Sequence, residues 1–87
     1  MGVEYLITGG QGFFGAWIAR RLLEEDASFV LTDLKPDDRV LRQVLSEEEI
    51  GSLDVRFGDV SSGEFVQDLV EEVRPARIIH LAGLQVP

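Results

Sequence analysis

Thr8-Gly9-Gly10-Gln11-Gly12-Phe13-Phe14-Gly15 lies between an apolar run (Val3, Tyr5, Leu6, Ile7) and a segment whose apolar residues recur at helical spacing. A chain that turns sharply off a strand, admits anion oxygens against its own N–H groups and packs a helix tightly on a sheet cannot carry Cβ atoms at those points. The stretch therefore reads as strand, glycine turn and helix, with the helix amino terminus presented to a pyrophosphate. That arrangement is a dinucleotide site.

Working outward, the run before the glycines suits a central parallel strand covered on both faces. From Phe14 to Asp26 the apolar residues Phe14, Trp17, Ile18, Ala19, Leu22 and Leu23 make one helical face, opposite Arg20, Arg21, Glu24 and Glu25. Trp17 is most simply a core or sheet-facing residue. Phe29-Val30-Leu31-Thr32 is a second strand ending at Asp33, which completes a crossover unit. After Pro36 the spacing of Val40, Leu41, Val44 and Leu45 predicts one short helix, then a loop; Ser46 with Glu49 reads either as a capping box or as solvated loop. Leu53, Val55 and Phe57 alternate with polar residues and predict a third strand near the sheet edge. Ser61 with Glu64 resembles a capping box before a helix carrying Phe65, Val66, Leu69, Val70 and Val73, which must end before Pro75. Ile78-Ile79-His80-Leu81 is a fourth strand. The fold class is α/β: a partial Rossmann fold of four parallel strands in the order 3-2-1-4, with right-handed crossover helices.

Composition narrows the function. The 87 residues hold at most one domain, and 45% apolar content excludes a disordered or collagen-like chain. A net charge of −8, with eight basic residues scattered among sixteen acids, argues against a nucleic-acid surface. A dinucleotide must then be held by backbone dipoles. The chain has no cysteine, so it forms neither a disulfide framework nor a thiolate metal site, and with the first strand so near Met1 no signal peptide is expected. Met1-Gly2 lacks the hydroxyl residue that myristoylation expects, since position 6 is Leu6, and no apolar run is long enough to span a bilayer. The expected setting is cytoplasmic, without membrane or nucleic-acid partners. A nucleoside-triphosphate loop is excluded because Ala16 and Trp17 stand where Lys and a metal-binding hydroxyl are required.

Asp33 lies eighteen residues after Gly15. A carboxylate at the end of the second strand can accept the adenosine ribose hydroxyls and repels a 2′-phosphate, so NAD is expected over NADP unless Lys35 or Arg39 folds back to compensate. The alternative is a plain loop acid beside Asp37 and Asp38.

Gly9-x-x-Gly12-x-x-Gly15 behind Thr8, with His80-Leu81-Ala82-Gly83-Leu84-Gln85 at the end of the fourth strand, resembles the extended short-chain dehydrogenase/reductases, in particular the NAD-dependent epimerases and dehydratases of sugar nucleotides. The matching segments cover essentially the whole chain in the expected order. The pattern departs from the family where Ser61-Ser62-Gly63 stands in place of a second Asp. The resemblance implies that Gly9, Gln11, Gly12, Phe13, Phe14 and Gly15 surround the pyrophosphate, that Asp33 and Leu34 meet the ribose, that Asp59 and Val60 touch adenine, and that Leu81, Ala82 and Gly83 run along the cofactor's inner edge. It also implies that residues 1–87 are the amino-terminal part of an NAD-binding Rossmann domain, with the catalytic and substrate-binding parts absent.

In such a parent, the working pair is a Tyr-x-x-x-Lys that transfers protons while hydride moves between a sugar carbon and the nicotinamide. This chain has one tyrosine, Tyr5, in the first strand and one lysine, Lys35, in a loop. Its one histidine, His80, lies in a strand expected to be buried and is read as a core group. No catalytic residue is therefore assigned, and the 87 residues alone are expected to be inactive. The competing expectations are a stand-alone binding module and a non-catalytic cofactor sensor of the same fold.

Overall fold

The protein is described by a computed structural model over residues 2–81. Its elements are β1 (Tyr5–Thr8), α1 (Phe13–Glu24), β2 (Phe29–Asp33), α2 (Leu41–Val44), α3 (Glu47–Ser52), β3 (Val55–Phe57), α4 (Gly63–Val73) and β4 (Arg77–His80). The strands form one parallel sheet in the order β3-β2-β1-β4, as the alternation of elements predicts. Leu6 of β1 is in register with Val30 on one side and Ile78 on the other, and Leu31 of β2 faces Val55 of β3.

Side-chain alternation in β1 and β2 sorts the core into two faces. Ile7 and Leu31 join Ala16, Ala19 and Leu22 of α1 with Leu41 and Leu45 from the α2 region. On the other face Leu6 and Val30 meet Leu69 and Val73 of α4. Each fully buried aliphatic side chain contributes roughly 1.5–3 kcal/mol relative to exposure. Helices on both faces explain why β1 and β2 read as nearly continuous apolar runs.

The face of α1 that meets the sheet is made by small residues. Gly15, Ala16, Ala19 and Leu22 are buried, whereas Phe14 is 66% and Trp17 49% exposed. The expected core role of Trp17 is therefore corrected: at about 100° per residue it sits roughly 160° around the helix from Ala19. A helix drawn close by glycine and alanine leaves its large aromatics outside.

Two further expectations change. The stretch after α2 is a second helix, not a loop, because Ser46 Oγ accepts from the Glu49 N–H at 3.1 Å while the Glu49 carboxylate accepts from the Ser46 N–H at 2.8 Å. The cap of α4 is Ser62, whose Oγ accepts from the Phe65 N–H at 3.3 Å; Ser61 instead bonds Asp59. The carboxyl end of α4 falls at Arg74, in the left-handed region at φ 51, one residue before Pro75.

Candidate dinucleotide-binding site

All four strands are parallel, so Thr8, Asp33, Phe57 and His80 end on one edge of the sheet, and the loops that follow them gather there. The chain reverses direction across the sheet at β1, which has β2 on one side and β4 on the other. Ligands of open α/β sheets bind at such a switch point, outside the carboxyl ends of the strands.

The glycine turn leaves β1 over the end of β2. The Gly9 and Gly10 N–H groups both donate to the Thr32 carbonyl, at 2.9 and 3.2 Å. Gly9 has φ 72, a conformation that favours glycine. Gly15 has a different reason: a Cβ there would lie 2.5 Å from the Gly10 carbonyl oxygen, so α1 packs on the turn only without one. At Gly12 a Cβ would meet nothing closer than the Gly9 oxygen, at 3.5 Å. Among the described residues nothing fills that space.

Gly12 is also the residue that caps the amino end of α1, with extended backbone and no side chain to satisfy the first turn. Helix geometry leaves the N–H groups of Phe13, Phe14 and Gly15 without intrahelical acceptors, and the helix dipole favours an anion above them. The open space at Gly12 and these donors fit a pyrophosphate. The Phe13 and Phe14 rings pack edge-on at 5.9 Å, and Phe13 meets Trp17 at 6.4 Å, on the exposed side of the helix.

Asp33, at the end of β2, is drawn to the turn. Its Oδ2 accepts from the Gln11 N–H at 3.0 Å and its Oδ1 from the Leu34 N–H at 2.8 Å. A carboxylate offers about four lone-pair directions, so each oxygen retains one for a further donor. Two vicinal hydroxyls match that remainder. A phosphate, which brings only acceptors and charge, does not.

Asp59 plays a local part. Its Oδ1 accepts from the Ser61 hydroxyl at 2.6 Å and the Ser61 N–H at 2.9 Å, and those bonds hold its carboxyl below the ordinary carboxylate range. The carboxylate thus shapes the turn into α4, leaving the half-buried Val60 beside it on the site edge. Leu81 continues past β4, its N–H donating to the Thr8 carbonyl at 3.0 Å. Ala82 and Gly83 lie outside the described residues.

His80 was expected inside a buried strand; it is exposed at the end of the edge strand β4. Its Nδ1 is hydrogen-bonded to Thr8 Oγ1 at 2.6 Å, which ties the two strands that flank the switch point. Beside the site, on the α2–α3 side, lies a cleft of about 540 Å³ lined by Leu41, Ile50, Leu53 and Val55, with Gln11 as a shared wall. Among the described residues no group of three or more His, Asp or Glu is placed to hold a metal ion, and no helix is long and apolar enough to cross a membrane.

The comparisons point the same way. The family model described as GDP-mannose 4,6 dehydratase matches residues 6–86. Among solved structures, the chain is similar to the UDP-glucose 4-epimerase of Thermus thermophilus, a complex with NAD, with a TM-score of 0.70 and 26% identity over 91% of this chain and 24% of that one. It shares its fold with the Bordetella bronchiseptica enzyme WbmG, a complex with NAD and UDP, at a TM-score of 0.72 and 23% identity over 94% of this chain and 25% of the other. The chain spans about a quarter of the length of these structures. No curated protein matches it significantly.

Proposed function

The chain belongs to the GDP-mannose 4,6 dehydratase family, and we propose that it binds NAD as the amino-terminal part of a Rossmann domain in a longer, cytoplasmic enzyme that acts on a sugar or nucleotide sugar. The observation that carries this reading is the juxtaposition of an open Gly12 at the head of α1 with an Asp33 carboxylate anchored to the same turn. The first is a cradle that a side chain would fill; the second selects ribose hydroxyls.

In this reading the backbone N–H groups of Phe13, Phe14 and Gly15 face the pyrophosphate, and no basic side chain is needed there. Asp33 accepts the 2′ and 3′ hydroxyls of the adenosine ribose through its remaining lone pairs. Val60 and Leu81 border the adenine and the inner edge of the cofactor. NAD, when bound, supplies a nicotinamide carbon that accepts and returns hydride. The proton-transferring Tyr and Lys of the family are assigned to the remainder of the enzyme, because Tyr5 is built into β1 and Lys35 stands alone after β2. The 87 residues contribute binding and orientation and are inactive by themselves. Support for the nucleotide-sugar class comes from the family and from the UDP-glucose 4-epimerase likeness.

Calorimetric titration of the full-length protein with NAD and NADP tests the assignment. A hydrogen bond to a charged group contributes about 1.5–3 kcal/mol, so Asp33→Ala is expected to weaken NAD by about tenfold or more while harming NADP less. Equal losses for the two cofactors would refute the ribose role.

A further inference from the structure

Gln11 is the only residue of the turn 9–12 with a side chain, and the residue is 8% exposed. Its amide points neither to solvent nor to the space above Gly12. Nε2 donates to the Lys35 carbonyl at 2.7 Å, and Oε1 accepts from the Asp37 N–H at 3.0 Å. With the backbone bond to Asp33, one residue ties the turn to both ends of the segment 33–37.

The segment continues into an ion pair. Asp37 receives the Arg39 guanidinium as a fork, Nε on Oδ1 at 2.9 Å and Nη2 on Oδ2 at 2.7 Å. These bonds hold the Asp37 carboxyl down to about 2, so it is an anion throughout any binding assay near neutrality. A nearby arginine is the group that admits a 2′-phosphate in dinucleotide sites. Here that guanidinium is occupied, and the backbone N–H of the residue occupying it is held by Gln11.

We propose that Gln11 is a positioning residue for cofactor choice: its side-chain amide fixes the segment after β2 so that Asp33 faces the adenosine ribose while Arg39 is withheld on Asp37. The proposal rests on the dinucleotide reading above and adds to it a determinant that does not touch the cofactor through its side chain. An isosteric apolar residue preserves the volume and the backbone bond to Asp33 but frees the segment. Arg39 then becomes available to a phosphate.

The test is calorimetry of the full-length protein with NAD and with NADP, using Gln11→Met and Gln11→Ala, alone and combined with Arg39→Ala. Both Gln11 variants are expected to lower the NAD-to-NADP affinity ratio by about tenfold. Arg39→Ala in the Gln11→Met background is expected to restore most of it, a coupling that general loss of stability does not produce. Hydrogen exchange without cofactor gives a second readout: the Asp37 amide should exchange faster in Gln11→Met. A ratio unchanged in Gln11→Met, or lowered but not restored by Arg39→Ala, overturns the proposal and leaves the NAD reading standing. A wild-type protein that binds neither dinucleotide overturns the reading and the proposal together.

Discussion

Substituting two glycines of the same turn should separate binding from folding. At Gly12 the backbone is extended, φ −79 and ψ −178, and a Cβ would lie 3.5 Å from its nearest neighbour, an ordinary contact. Gly12→Val should therefore change stability by no more than about 1 kcal/mol, because the conformation is open to any residue and the unfolded chain loses freedom at the same time. The same side chain occupies the space over the first turn of α1. Displacing a pyrophosphate oxygen from two N–H groups forfeits roughly 1.5–3 kcal/mol for each charge-assisted bond, or about 3–6 kcal/mol together. At 1.4 kcal/mol per decade this is a loss of roughly a hundredfold or more in NAD affinity. Gly15→Ala should behave oppositely. Its Cβ would stand 2.5 Å from the Gly10 oxygen and 2.6 Å from the Gly10 carbonyl carbon, so α1 must move off the turn. Thermal melting and calorimetry on both variants of the full-length protein provide the comparison. Gly12→Val that retains NAD within threefold, or that melts as low as Gly15→Ala, would refute the assignment of the space above Gly12 to a ligand.

Acid titration followed by carboxyl NMR should find Asp37 with a midpoint near 2, held low by Arg39. Because the folded carboxyl is lowered relative to the unfolded value of about 3.9, whatever this group contributes to stability is present above that value and is lost as pH falls toward 2; an ordinary midpoint would show that the fork with Arg39 does not form in solution. The 87-residue chain alone is expected to self-associate, since among the described residues β4 is an edge strand and its Ile78 is 52% exposed beside a core face covered by α4. Sedimentation showing a monodisperse monomer with a sharp, cooperative melt would contradict this.

The sheet was legible because β1 and β2 are buried on both faces and write that burial as unbroken apolar runs, while Leu53, Val55 and Phe57 alternate as an edge strand does. The placement of the glycine turn between β1 and α1, and of Asp33 at the end of β2, was legible because strand, turn and helix follow one another without a break in the sequence. Two of the errors concern a choice between neighbours on the same element. Counting large apolar residues placed Trp17 in the core, yet Ala16 and Ala19 make the contact, and small residues carry little weight in a hydrophobic pattern. Ser61 and Ser62 are equally good caps by type, and the choice between them is made by Asp59, which claims Ser61. The stretches of α2 and α3 are too brief for periodicity, so only the reciprocal bonds of Ser46 and Glu49 decide that Glu47–Ser52 is helical. The role of the Gln11 amide was not legible at all, because its partners, Lys35 and Asp37, are brought to it by the pairing of β1 with β2.

The central position of β1 also orders the assembly of the sheet in time. Its contacts with β2 close over about 24 residues, as in the Ser28–Glu4 bond, whereas its contacts with β4 close over 72, as in Thr8–His80. A threefold longer loop costs about 1 kcal/mol more to close. The first crossover unit also carries five of the seven buried members of one apolar cluster, Ile7, Ala16, Ala19, Leu22 and Leu31, and the other two, Leu41 and Leu45, likewise precede residue 77; Ile79 and Leu81 only add to its margin. On a growing chain the glycine turn and Asp33 can thus be set in their final relation, joined by the Gln11–Asp33 bond, while the other wall of the crevice has yet to be made.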